Sequence, residues 1–253
     1  MHRIFNMTFS PTGGTQKVAD CLCAAMGAEE IVDIDLCDRF FDAEAVSVGK
    51  EDVCVVSVPS YAGRVPETAA QRMAMLSGNG AAAVPVCVYG NRAWEDTLIE
   101  MKDILEARGF VCAAAVAAIA EHSMLRKYAA NRPDAKDRAQ LREFAEKIKE
   151  VLEHGAGELT VPGNRPYRAI GAFLKPVVND ACVSCGVCSD MCPVGAIEGN
   201  QTDLDKCISC VRCISICPHG ARKLDENMLC MVEARIGKLM SDRKENELFL
   251  AAK

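Results

Sequence analysis

Apolar positions in the first 120 residues fall into runs separated by helix-spaced stretches. Residues 52–58 (Asp-Val-Cys-Val-Val-Ser-Val) and 83–89 (Ala-Val-Pro-Val-Cys-Val-Tyr) are almost continuously apolar, as strands buried on both faces are. Residues 3–9 and Phe110–Ala118 read the same way, and residues 30–36 alternate, predicting a further strand. Pro85 weakens the 83–89 strand unless it lies near the strand's start. Between these runs the spacing predicts helices over about 16–26, from Pro66 to about 76, and over Ala93–Arg108 with Gly109 as the stop. Pro133-Asp134 opens an amphipathic helix whose Leu141, Phe144, Ala145, Ile148 and Leu152 recur on one face. Strands alternating with helices predict an α/β fold with a doubly wound, five-stranded parallel sheet covered on both faces.

The pattern changes after His154. Glycines and prolines crowd residues 155–178 and predict a linker, with Tyr167, Ile170, Phe173 and Leu174 partly docking it. Residues 179–225 hold an internal repeat, in which Pro193-Val194-Gly195-Ala196 aligns with Pro218-His219-Gly220-Ala221. The last stretch, 226–253, reads as a packing helix with Leu229, Val232, Ile236, Leu239 and Met240 on one face. The expected division is therefore 1–154, linker 155–178, 179–225 and tail 226–253.

Composition narrows the class. A net charge of −6 carries no basic footprint for nucleic acid. The longest apolar stretch, Phe110 to Ala120, is too short to span a bilayer. The N-terminal residues lack the pattern of a secretion signal, so a cytoplasmic setting is the expectation. Fifteen cysteines, an odd number, argue against a disulfide scaffold. Seven of them (Cys21, Cys23, Cys37, Cys54, Cys87, Cys112 and Cys230) are scattered, and buried filler is the better reading for most.

The other eight form the repeat. Cys182, Cys185, Cys188, Cys192, Pro193 and Cys207, Cys210, Cys213, Cys217, Pro218 both read C-x2-C-x2-C-x3-C-P. Thiolates are soft ligands for iron, and three cysteines spaced by three residues let one tight loop hold three corners of a 4Fe-4S cube. Zinc is the competing reading. Its sites pair C-x2-C with a second pair across a longer loop, a pattern that two runs of four do not follow. This segment resembles the bacterial-type two-cluster ferredoxins. The resemblance implies that the fourth cysteine of each run crosses over. One cluster then takes Cys182, Cys185, Cys188 and Cys217, and the other takes Cys207, Cys210, Cys213 and Cys192. Val211 in the second run replaces Gly186 of the first, so the clusters need not be equivalent.

At the N-terminus, Ser10-Pro11-Thr12-Gly13-Gly14-Thr15 sits where the first strand hands over to a helix. Hydroxyls, backbone N–H groups and the helix dipole there suit a phosphate, although such turns are also ordinary helix caps. Two more loops follow strand ends, where open α/β sheets bind ligands: Pro59-Ser60-Tyr61-Ala62-Gly63 and Gly90-Asn91-Arg92. Tyr61 and Trp94, the only tryptophan, are candidates to contact a flat ring. On these loops, residues 3–153 resemble a flavodoxin-like FMN domain. The whole chain is similar to the flavodoxin–ferredoxin fusion proteins of anaerobic bacteria and archaea. The resemblance implies FMN held by Ser10, Thr12, Gly13, Gly14, Thr15, Pro59, Ser60, Tyr61, Ala62, Gly63, Gly90, Asn91, Arg92 and Trp94, beside two 4Fe-4S clusters. Gly14 departs from the family, which more often has Asn there. His122 and Ser123, after the fifth strand, fit a domain-packing loop better than a place at the flavin edge. No G-x-G-x-x-G is present for a nicotinamide cofactor.

Three functions fit these residues. The leading one is electron transfer between FMN and the clusters, and to or from a redox partner protein or small donor or acceptor. The second is a flavin-dependent reductase of a small substrate, fed by the clusters. The third is a redox-sensing interaction module. A ring capped by protein favours the carrier over the enzyme.

Overall fold

The computed structural model describes residues 2–170 and 174–252. Phe173, expected to pack in the linker, lies outside them. The elements of the first half, in chain order, are β1 (Arg3–Thr8), α1 (Gly14–Met26), β2 (Glu30–Asp35), β3 (Val53–Pro59), α2 (Glu67–Met73), β4 (Ala82–Tyr89), α3 (Thr97–Ala107), β5 (Val111–Cys112), β6 (Ala114–Ile119) and α4 (Ala135–His154). The parallel strands run β2-β1-β3-β4, with β5 and β6 together as the fifth. This is the flavodoxin-like order, with the switch point between β1 and β3.

Each strand forms for a readable reason. β3 is buried along nearly its whole length because helices cover both faces of the sheet. On one face Val18, Leu22 and Met26 of α1 meet Leu141, Phe144 and Ile148 of α4. On the other, Met73 of α2 packs with Leu98, Met101 and Leu105 of α3. Pro85 sits inside β4 and not at its start, and the sheet adapts on one side. Ala82 and Ala83 pair with β5, Val86–Tyr89 pair with β6, and the break between those segments coincides with the residue that has no N–H to give. α3 begins at Thr97, four residues later than the spacing predicts, because Asn91 and Glu95 adopt positive φ in the preceding turn.

The linker is docked. Asp96, almost fully buried, accepts the backbone N–H groups of Asn164 and Arg168. Asp103 accepts from Arg165 Nε at 2.7 Å and from the Tyr167 hydroxyl at 2.5 Å. Leu159 and Val161 are buried in the core beneath α3.

The second half contains β7 (Val177–Val178), α5 (Val187–Asp190), β8 (Ile197–Glu198), β9 (Gln201–Thr202), α6 (Arg212–Ser215) and β10 (Arg222–Lys223), with β7 paired to β10 and β8 to β9. The repeat is visible in three dimensions, since α5 and α6 sit at equivalent places in the two cysteine runs. The tail helix α7 (Glu226–Ile236) is capped by Asp225, which accepts from the Met228 N–H. The chain then makes a 3-10 turn, Gly237–Met240, and ends in β11 (Glu247–Leu250). β11 lies antiparallel on β6 and covers the sheet edge of the first half, a strand that the sequence pattern does not predict. Trp94 donates its indole N–H to Glu247 at 3.2 Å and packs edge-on against Phe249 at 5.9 Å.

Asp137 anchors the junction of α4 with the tail. It is fully buried, receives Arg132 through two hydrogen bonds of 2.9 and 2.5 Å, and accepts from Arg243 at 3.2 Å. It also closes the capping box of α4 with Asp134.

Candidate functional site

The two cysteine runs fold into the same loop. Ser184 and Ser209 have φ of 55° and 56°, and Gly186 and Val211 have φ of 81° and 55°. A left-handed backbone at the third position of the loop is what Gly186 supplies without strain. Val211 adopts it despite its branched Cβ, an uncommon and strained state. The strain comes with a gain: the Val211 side chain is buried and lines a cavity shared with the first half.

The sulfurs group across the repeat. Cys182, Cys185, Cys188 and Cys217 line one small hollow together, so the fourth cysteine of the second run stands with the first three of the first run. Cys210 lies near Cys192, Cys37 and Cys207, and Cys192 and Cys213 pack in one small core with Cys188 and Cys207 at its side. Burial pushes the Cys210 and Cys213 thiols up to about 12. Matching backbone N–H groups reach the two fourth cysteines: Ala196 to Cys192 Sγ and Ala221 to Cys217 Sγ, both at 3.3 Å. Among the described residues no three His, Cys, Asp or Glu side chains converge on a single-ion site. A hollow lined by four cysteines suits a cluster, whose ligands stand farther apart than those of one ion.

The turn after β1 exposes the N-terminus of α1. Gly13 has φ of 84° and precedes the first residue of α1, while Ser10 Oγ accepts the Gln16 N–H at 2.9 Å and folds the loop. A Cβ on Gly14 would stand 3.2 Å from Ala120 Cβ, so the glycine departure keeps α1 close to the end of β6. Thr15 is buried at the same turn. Thr12, Gly14, Lys17 and Arg132 line a cavity of about 630 Å³ together with Val211, Ile214 and Ser215 of the second cysteine run. Arg132 is itself buried, and its Nη1 is buried with no hydrogen-bond partner. An orphaned guanidinium N–H beside a helix N-terminus fits a phosphate.

The other expected loops are placed as follows. Pro59 ends β3, and Ser60 shares a 2.8 Å hydrogen bond with Thr97. Tyr61-Ala62-Gly63-Arg64 makes a tight turn in which Ala62 and Gly63 have positive φ, and a Cβ on Gly63 would collide with Glu95. Tyr61 sits beside Cys210 and Cys37, and burial, followed by these two thiols, raises its hydroxyl well above the ordinary range. The strand-end loop thus comes close to the second cysteine run. Gly90 has room only for hydrogen, since a Cβ would lie 2.6 Å from the His122 ring. Asn91 turns its side chain to the tail, donating to the carbonyls of Met240 and Asp242 at 2.7 and 2.8 Å. Arg92 pairs with Glu95 at 2.6 Å. Trp94 stands apart from the cavity, on β11. Of the scattered cysteines, Cys23, Cys37, Cys54, Cys87 and Cys112 are buried, and Cys230 is exposed on α7.

His122 is held neutral. Its Nδ1 accepts the N–H groups of Met124 and Leu125 at 3.2 and 3.1 Å, and burial, with the nearby Arg92, pushes its pKa from 6.5 down to about 4. Between those values the unfolded chain binds more protons than the folded one, so stability is full above pH 6.5 and falls as pH drops toward 4. We expect unfolding free energy, read from Trp94 fluorescence in urea, to be about 2 kcal/mol lower at pH 5 than at pH 7.5, with His122→Gln flattening the slope. Equal stability at both pH values would contradict the neutral ring.

Several residues here escape sequence reasoning. Lys17 and Arg132 read as ordinary surface cations. Arg222, which donates from Nε to Cys188 Sγ at 3.1 Å, is signalled only by a break in the repeat, where the first run has Ile197.

Comparison with known proteins follows the same division. Residues 175–198 and 201–223 match the 4Fe-4S binding domain family. Solved structures similar to the chain include a flavodoxin of Streptococcus pneumoniae TIGR4, 16% identical, covering 59% of this chain and 97% of that one, with a TM-score of 0.39. Flavodoxin 1 from Bacillus cereus is 16% identical over 58% of this chain and 95% of that one, with a TM-score of 0.38. Megasphaera elsdenii flavodoxin is 18% identical over 58% and 99%, with a TM-score of 0.38. No curated protein sequence matches the chain. The molecule thus joins a half with flavodoxin-like strand order to a 4Fe-4S binding domain. Among the described residues no helix is long and apolar enough to cross a membrane.

Proposed function

We propose that the chain binds one FMN and two 4Fe-4S clusters and passes electrons between them and an external redox partner. The observation that carries this reading is the shared cavity, lined both by Thr12 and Gly14 of the turn after β1 and by Val211, Ile214 and Ser215 of the second cysteine run. When bound, FMN would supply a centre that exchanges two electrons in one-electron steps, matching the single-electron clusters. The Ser10–Thr15 turn, Lys17 and the free N–H of Arg132 would hold its phosphate. Pro59, Ser60, Tyr61, Ala62 and Gly63, with Gly90, would flank its ring, while Asn91 and Arg92 hold the neighbouring turn against the tail and Glu95. Trp94 is left out of this set, since its ring and N–H are taken by β11.

The chain's own contacts hold the halves together. Arg72, buried, donates to the carbonyl of Leu36 in one half and to that of Pro193, next to Cys192, in the other at 2.8 Å. Tyr61 against Cys210 and the tail over Asn91 cover the ring loops, which supports a carrier over a reductase that needs an open pocket. The crossed ligand sets tie the two runs into one unit.

Anaerobically purified protein tests this directly. About eight iron atoms and one FMN per chain are expected, the iron count following from two cubes. Protein that holds iron but takes up no FMN would end the flavin half of the proposal.

A further inference from the structure

Arg222 is nearly fully buried, in the short strand β10 that pairs with Val178. Its three donors are directed at named partners: Nε to Cys188 Sγ at 3.1 Å, Nη1 to the Thr202 hydroxyl at 2.7 Å and Nη2 to the Asn200 carbonyl at 3.2 Å. No carboxylate is among them. A buried guanidinium is costly unless a negative charge compensates it. The sulfur it hydrogen-bonds is Cys188, which would carry negative charge as a cluster ligand, while Cys213 of the other set feels its charge without a hydrogen bond.

The second run offers no counterpart. The position matching Arg222 is Ile197, a buried hydrocarbon. Backbone N–H groups reach the two fourth cysteines equally, from Ala196 and Ala221 at 3.3 Å, and Ser209 N–H also donates to Cys207 Sγ at 3.4 Å, but these are neutral amides, and Arg222 alone brings a side-chain cation to a ligand sulfur through a hydrogen bond. We infer that Arg222 sets a potential step between the clusters, making the one ligated by Cys182, Cys185, Cys188 and Cys217 the more readily reduced.

The physics is direct. Reduction adds one negative charge to a cluster already negative through its thiolates, and a cation hydrogen-bonded to a ligand sulfur stabilises the added charge. One electron leaves the cluster of Cys207, Cys210, Cys213 and Cys192, which is oxidised. The cluster of Cys188 gains it and is reduced, with no proton moved. Geometry gives the step a direction. Cys210 is buried near Tyr61 and is followed by Val211, which lines the shared cavity, whereas the loop that would hold the other cluster is open to solvent, with Cys185 exposed and Val183 61% exposed. An electron held by the pair therefore rests on the outward side.

This inference relies on the two-cluster reading, and one experiment separates them. Redox titration of the holoprotein, followed by EPR, should show two cluster waves, with Cys185→Ala identifying which wave belongs to the outward cluster. Arg222→Gln should lower that wave more than the other, changing the electron's partition between clusters about tenfold, roughly 59 mV for a one-electron couple. Arg222→Lys, which keeps the charge, should restore most of the step. If Arg222→Gln does not retain its iron, Thr202→Val carries the test, with a smaller shift in the same direction. Waves that stay in place, or move together, in iron-replete variants would overturn the role of Arg222. Wild-type protein with about four iron atoms and one wave would overturn the two-cluster reading, and the step with it.

Discussion

Cys217→Ala is expected to destroy the cluster held by the first cysteine run and to spare the one held by its own. The iron content should fall from about eight to about four atoms per chain. Cys217 shares a hollow with Cys182, Cys185 and Cys188, whereas Cys210 lies near Cys192 and Cys207. Loss of one thiolate leaves an iron corner without its soft ligand. The variant should therefore match Cys185→Ala in its EPR spectrum and differ from Cys210→Ala. Folding of the small domain should suffer as well, since so few of its side chains are buried that metal ligation supplies most of its stability. A spectrum matching that of Cys210→Ala would show that each run ligates its own cluster.

Thr12→Glu is expected to weaken FMN binding by about 100-fold while leaving iron content unchanged. Thr12 stands in the cavity with Gly14 and Lys17 at the start of α1. A carboxylate there faces the phosphate, and like charges brought together cost several kcal/mol, about a hundredfold at 3 kcal/mol. Fluorescence titration of flavin-free protein with FMN, beside riboflavin, reads the effect. Riboflavin has no phosphate, so its affinity should change little. An equal loss for both flavins would place the phosphate elsewhere.

What the sequence discloses here depends on how local the cause is. The cysteine runs are legible because ligand spacing on a tight loop is a property of consecutive residues. β1, β3 and the start of α1 are legible because burial on both faces and the Ser10–Thr15 turn write themselves in short stretches. β11 is not. Glu247–Leu250 has four residues after a charged stretch, too few to show a period, and it exists because the β6 edge needs a partner. The same long-range event explains Trp94 and Asn91. Both have the composition of a ring-binding loop, yet the tail takes the indole N–H of one and the amide of the other. Pro85 argues against a central strand until the split of the fifth strand at Ala113 is seen. Arg222 was visible only as a mismatch in the repeat, and its meaning required knowing that Cys188 lies 3.1 Å away. The Val211 mismatch, by contrast, was legible as a departure. Its structural sense is a strained left-handed residue that lines the same cavity as Thr12 and Gly14.

The central claim is that electrons cross between flavin and clusters within one chain. The most direct test is to give the anaerobic holoprotein a substoichiometric pulse of one-electron reductant and to follow flavin and cluster absorbance separately at several protein concentrations. The account predicts a transfer phase between the centres whose rate constant does not change on about tenfold dilution, because linked carriers need no encounter. A transfer rate that falls in proportion to protein concentration, or no transfer when both centres are loaded, would contradict it.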